Sequence, residues 1–156
     1  MLTLSKLSDY AIVLVSCLAT LDAYTASART LARATEIPLP TVVKLLKILA
    51  TGGTLRSIQG RSGGYRLTRA PSEVPLTEII EAVDGPIAVT ECNRETGDCR
   101  IQDRCLVHRH WVVINGAFRQ ALTGISLADL TGPPLRIEGA LRFDRASPSG
   151  PISGVG

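Results

Sequence analysis

Two prolines constrain the N-terminal half more than any other feature of the chain. Ala28 to Thr35 and Pro40 to Ala50 each carry apolar residues at helical spacing, Leu31 and Ala32 in the first and Val42, Leu45, Leu46 and Leu49 in the second. The intervening Ile37-Pro38-Leu39-Pro40 cannot continue a helix, because proline lacks an amide hydrogen and restricts the residue before it. Two short helices joined by a tight turn follow, with Ser27 capping the first and Pro40 suited to the first turn of the second. The second helix stops at Gly52-Gly53. Two short strands come next, holding Leu55 and Ile58, then Tyr65 and Leu67, and Gly60-Arg61-Ser62-Gly63-Gly64 joins them as a hairpin tip.

Helical periodicity also places a helix at Ser5 to Leu21, with apolar residues nearly all the way round, and another at Pro75 to Val83. The stretch Glu91 to Arg104 is polar and aperiodic. A long helix is predicted from about Arg104 to Leu122, with a stripe of Val107, Trp111, Ile114, Phe118 and Leu122, and one more turn at Ser126 to Leu130. The fold expected is mainly α: a winged helix-turn-helix, helices plus a two-stranded β-wing, with a long C-terminal dimerisation helix. Its parts are a DNA-binding domain at 1–86, a cysteine-rich loop at 87–106, the dimerisation helix at 107–132 and a flexible tail at 133–156, where Pro, Gly and Ser dominate.

Charge is distributed unevenly. From Ile37 to Ser72 there are six basic residues (Lys44, Lys47, Arg56, Arg61, Arg66, Arg69) and no Asp or Glu, whereas Glu73 to Asp103 holds eight acids against Arg94 and Arg100. The first stretch suits a polyanion. Thr41, Lys44 and Lys47 recur every three residues opposite the leucines of the second short helix, where they can lie along one DNA groove. Thr41 suits a base edge or a phosphate, and the two lysines suit phosphates. Arg61 at the glycine-rich tip suits the minor groove, and Arg56 and Ser62 complete the candidate DNA-binding set. At 4% aromatic residues the chain lacks the stacking platforms that grip single strands, so double-stranded DNA is the expected partner. No phosphate loop, nucleophile elbow or paired-carboxylate pattern marks an enzyme. The first helix has no signal-peptide pattern and no run is long enough for a membrane span, so a cytoplasmic protein is expected.

Reduced cysteines in that compartment bind metal more often than they form disulfides. Cys92, Cys99 and Cys105 are separated by six residues (93–98) and five (100–104), and His108 follows Cys105 by three. On a helix that last spacing puts sulfur and imidazole on one face. Three thiolates and an imidazole suit a structural zinc or an iron–sulfur cluster; the wide spacing, without tight knuckles, fits the larger centre better, and a zinc-stabilised structural or interaction module is the alternative. Cys17 reads as a core residue and His110 as a surface histidine. The acidic loop has few apolar residues to hold it without a metal, so a metal-free loop is expected to be mobile.

These residues resemble the IscR/NsrR family of winged-helix iron–sulfur regulators over about residues 1–132. The likeness lies in Leu4-Ser5-Lys6, Asp9-Tyr10-Ala11, the wing Gly60 to Tyr65, Glu78 to Asp84, the three cysteines, and Cys105-Leu106-Val107-His108 with Trp111. Val89-Thr90-Glu91-Cys92 and Gly124 to Leu130 are most similar to the regulators of SUF-type cluster assembly. The resemblance implies a homodimer, clamped by the long C-terminal helix, that represses or activates genes according to cluster occupancy; the loaded form is expected to bind its own promoter and repress it, with [2Fe–2S] favoured over [4Fe–4S]. It implies Cys92, Cys99, Cys105 and His108 as ligands, with Asp9 of the partner subunit the competing fourth ligand; Asp9 also suits a cap of the first helix. Two departures limit it: the first inter-cysteine gap is one residue longer than in IscR, and Val43-Lys44 stands where IscR has Glu-Gln, so operator preference does not carry over.

Overall fold

The computed structural model describes residues 4–21, 24–61, 63–94, 97 and 99–133. The elements are α1 (Lys6–Ala19), β1 (Thr25–Ala26), α2 (Ala28–Thr35), α3 (Leu39–Thr51), β2 (Leu55–Ile58), β3 (Gly64–Leu67), α4 (Leu76–Asp84), α5 (His108–Thr123) and α6 (Leu127–Thr131). This is the mainly helical winged architecture expected from the sequence. The tail expected at 133–156 lies outside the described residues beyond Pro133.

Ser5, not Asp9, caps α1: its side chain accepts from the Ser8 amide at 3.1 Å, satisfying a free N–H of the first turn. The Ser5 and Ser8 hydroxyls each donate to one oxygen of Asp84, both at 2.7 Å, pinning the start of α1 to the end of α4. Ala11, Leu14, Val15 and Leu18 are fully buried. They meet Leu31 from α2, Val42, Leu45, Leu46 and Leu49 from α3, and Ile79 from α4 in one core. Each such leucine or isoleucine contributes about 1.5–3 kcal/mol by leaving water.

The wing is a three-stranded antiparallel sheet in the order β1-β3-β2, so the two-stranded hairpin expected from the sequence gains a third strand. Leu55 pairs with Leu67, Arg56 with Arg66, Ser57 with Tyr65 and Ile58 with Gly64. On the other edge Thr25 pairs with Arg66 and Ala26 with Tyr65. A Cβ at Gly64 would run into the Ala26 carbonyl, so glycine lets β1 approach. Gly60, at φ +110°, makes the turn at the tip.

After α5 the chain returns to this core. Leu76 N–H donates to Ile125 and Leu127 N–H to Val74, both at 2.8 Å, and Leu127 is fully buried. By contrast α5 buries none of its own residues. Arg119 reaches Glu81 of α4 at 2.7 and 2.9 Å, and Asn115 bonds the backbone at 87 and 89. Of the expected stripe on this helix, Val107, Ile114 and Phe118 are 50%, 40% and 39% exposed and Trp111 and Leu122 are half-buried; beside it Val112 and Val113 are exposed as well. No described helix is long and apolar enough to cross a membrane.

Candidate nucleic-acid interface and metal centre

The turn between α2 and α3 ends in Glu36, whose left-handed backbone (φ 58°) stops α2, and Pro38, which precedes α3 in extended conformation. That turn sets α3 with Val42, Leu45, Leu46 and Leu49 at zero exposure and Lys44 and Lys47 exposed on the other side. Thr41 is half-buried near the helix start, its N–H donating to the Pro38 carbonyl at 2.9 Å. Arg56 is exposed on β2 and Arg61 at the wing tip; Ser62 lies outside the described residues.

The basic stretch is not uniform. Arg69 donates to both oxygens of Glu78 at 2.6 Å, and Glu78 also accepts from the buried Thr54 hydroxyl at 2.8 Å. Arg69 is thus tied to α4. Lys44, Lys47, Arg56 and Arg61 have no ion pair among the described residues.

Sequence reasoning missed two further cations. Arg29 and Arg33, one helical turn apart on the exposed side of α2, line a shallow depression of about 360 Å³ with Ala32, Ile37 and Leu39. Their spacing opposite Leu31 is legible, but Glu36 separates them from the acid-free stretch that begins at Ile37.

The cysteine arm departs from expectation. Cys105 is extended (φ −79°, ψ 112°) after a short 3-10 turn at Gln102–Arg104, and α5 begins only at His108. Cys105 and His108 therefore do not share the helical face that their spacing predicted; the polar run 102–105 closes as a tight turn instead. Cys92 sits in a second 3-10 turn, Glu91–Asn93. Cys92, Cys99 and Cys105 are free thiols, each half-buried. Among the described residues no three His, Cys, Asp or Glu side chains are gathered closely enough for one metal ion.

Two observations nevertheless suit a metal centre. His108 Nδ1 is buried and has no hydrogen-bond partner among the described residues, and a buried polar atom left so is costly unless something ligates it. The donors available, three thiols and this imidazole, are the kinds that bind iron–sulfur clusters or zinc. The structure thus fits the group in its donors and leaves their convergence to be made on binding.

The described start of the arm is bonded to α5. Asn93 donates to Thr90 Oγ1 at 2.9 Å and to the Trp111 carbonyl at 3.2 Å, and Thr90 Oγ1 lies 3.2 Å from Cys92 Sγ. Hydrogen bonds from side-chain amides hold its first half to α5. Cys17 is half-buried beside the core, less enclosed than expected, and His110 is exposed as expected. Asp9 is exposed in the first turn of α1.

Comparison with known proteins fits this arrangement. The Rrf2 family profile, described as an iron-dependent transcriptional regulator, matches residues 4–133. The helix-turn-helix transcriptional regulator IscR of Aliivibrio salmonicida is 35% identical over 94 residues, 60% of this chain and 55% of that protein. The IscR of Photorhabdus laumondii is 33% identical over 117 residues, 73% of this chain and 71% of that protein. The chain thus spans little more than half the length of the first relative. Among solved structures, CymR, the global cysteine regulator of B. subtilis, is similar with a TM-score of 0.64 at 26% identity, covering 84% of this chain and 97% of its own. These relatives are regulators, not enzymes.

Proposed function

Because this chain belongs to the Rrf2 family of transcriptional regulators, we propose that it is a homodimeric, DNA-binding transcription regulator whose affinity for its operator is set by an iron–sulfur cluster. The observation that carries the DNA part is the division of α3 into a buried leucine face and an exposed face bearing Lys44 and Lys47, neither in an ion pair among the described residues. Thr41, Lys44 and Lys47 enter a major groove, while Arg56, Arg61 and Ser62 supply the wing's contacts. The open apolar stripe of α5, with Val107, Ile114 and Phe118, pairs with its copy and sets the spacing of two heads.

Cys92, Cys99, Cys105 and His108 hold the cluster, and the orphaned His108 Nδ1 supports this ligand set. A bound cluster, [2Fe–2S] by resemblance, would supply a centre that iron supply and oxidation can remove or alter. The chain's part is mechanical. Cys92 is linked through Thr90 and Asn93 to Trp111 of α5, and α5 is linked through Arg119 to Glu81 of α4. Gathering the three cysteines therefore pulls on the helix that spaces the heads. Half-sites lie about one DNA turn apart, so a small change of spacing alters affinity strongly. Control of SUF-type assembly genes follows from the resemblance at Val89–Cys92 and Gly124–Leu130.

The test is the affinity of cluster-loaded, metal-free and Cys99→Ala protein for a duplex from the chain's own promoter, at one salt concentration under anaerobic conditions. Loaded protein should bind about 5- to 150-fold more tightly, the usual span of allosteric coupling. Equal affinities would leave a DNA-binding protein whose metal is structural. A colourless protein with stoichiometric zinc would favour the zinc-stabilised module.

A further inference from the structure

Arg56 on β2 and Arg66 on β3 are direct register partners in the wing. Residues opposed in this way on antiparallel strands stand side by side on one face, with Cβ atoms about 4.5–5.5 Å apart, and like charges there oppose pairing. The adjacent pair, Leu55 and Leu67, is buried. Strand alternation therefore turns Arg56 and Arg66 to the opposite face, away from the core.

Nothing described in the chain neutralises them. The three strands contain no acid, and neither guanidinium makes a hydrogen bond or ion pair among the described residues. The contrast with Arg69, two residues past Leu67 on the same chain, is informative: that arginine meets Glu78 at 2.6 Å. The sheet thus places two cations next to each other without a counter-charge. A guanidinium presents its donors in a planar fork that matches phosphate oxygens, and two forks from neighbouring strands can meet on one phosphate.

We propose that Arg56 and Arg66 form a two-arginine clamp for a single backbone phosphate of duplex DNA. The proposal rests on the DNA-binding reading above and deepens it. It adds Arg66, which charge alone does not separate from Arg69, and it makes the outer face of the wing, besides its tip, a contact surface. The pair removes its own repulsion by taking up the anion, so the sheet is best matched when DNA is bound.

The experiment measures binding of the full-length chain to a mixed-sequence duplex by fluorescence anisotropy across a salt series. Wild type, Arg56→Gln, Arg66→Gln and the double variant are compared, with circular dichroism to confirm that each is folded. Each phosphate neutralised contributes ~0.9 to the slope of log affinity against log salt. The double variant should lose ~0.9, and neither single variant should lose more than that, because one phosphate is shared. An unchanged slope in the double variant, with wild type strongly salt-dependent, overturns the clamp and leaves the DNA reading standing. A loss of ~1.8, made of two equal and additive halves, overturns the shared phosphate in favour of separate contacts. A wild type that binds the duplex with no salt dependence overturns both the clamp and the DNA reading.

Discussion

Asn115 of α5 accepts a hydrogen bond from the backbone N–H of Val89 at 2.8 Å. Its amide nitrogen donates to the Ile87 carbonyl at 3.1 Å, so one side chain acts toward the arm as a neighbouring strand would. Asn115→Leu keeps the approximate volume and leaves both backbone groups without that partner. A loss of about 1–3 kcal/mol is expected, since part-buried groups deprived of a partner bear much of their desolvation cost. Urea unfolding of the metal-free protein measures it; an unchanged midpoint would mean that water serves the arm equally well.

The ligand set predicts a sharp division among the cysteines. Alanine at Cys92, Cys99 or Cys105 should abolish the visible absorption of anaerobically reconstituted protein, while Cys17→Ala, whose thiol lies beside the core, should retain it. His108→Ala should shift the spectrum and Asp9→Ala should leave it intact, because the His108 ring already holds an unpartnered nitrogen in a buried position. Full colour in Cys99→Ala protein would count decisively against the assignment. A shifted spectrum only in the Asp9 variant would move the fourth ligand to the partner subunit.

The head of the protein was legible in the sequence because its signals are local. The proline turn, Ser27 and the leucines of α3 act within one or two helical turns, and all of them recur in the structure. What was missed depends on distant partners. β1 is two residues long and exists only because Gly64 admits it beside β3, some forty residues on. The start of α5 was placed too early because Arg104 to Val107 has no residue that forbids a helix; the 3-10 turn at Gln102–Arg104 ends it instead. Asn93 and Asn115 act on the backbone across the arm, and a single amide in a helix leaves no periodic trace.

Acid should weaken the junction between α4 and α5. Hydrogen bonding from Arg119 holds the Glu81 carboxyl below its usual value, against a weaker opposing effect of partial burial. A depressed folded-state pKa gives stability that is fully present above the unfolded value, near 4.3 for glutamate, and lost as pH falls through the folded value beneath it. Urea midpoints taken between about pH 6 and pH 3 should therefore fall for wild type and fall less for Glu81→Gln. Asp129, held low by Ser126, titrates in the same direction and will leave a residual slope in the variant. Parallel curves for the two proteins would show that the Arg119–Glu81 pair does not couple to folding.

Arg69 supplies the sharpest control for the DNA surface, because it belongs to the same basic stretch as Lys44 and Arg61 but is held at 2.6 Å by Glu78. Charge counting along the sequence treats the three alike; the structure does not. Neutralising Lys44 or Arg61 to Gln should flatten the salt dependence of duplex binding by ~0.9 each and leave stability nearly unchanged, as both are exposed and have no ion pair among the described residues. Arg69→Gln should do the reverse. Its salt slope should match wild type, while stability falls by less than about 1 kcal/mol, the usual size for a partly exposed ion pair. The loss stays small because Glu78 retains the Thr54 hydroxyl at 2.8 Å. Anisotropy titrations and urea unfolding on the same three variants separate the two roles. If Arg69→Gln flattens the slope as much as Lys44→Gln does, the arginine leaves Glu78 for the phosphate on binding, and the DNA surface extends to the foot of α4.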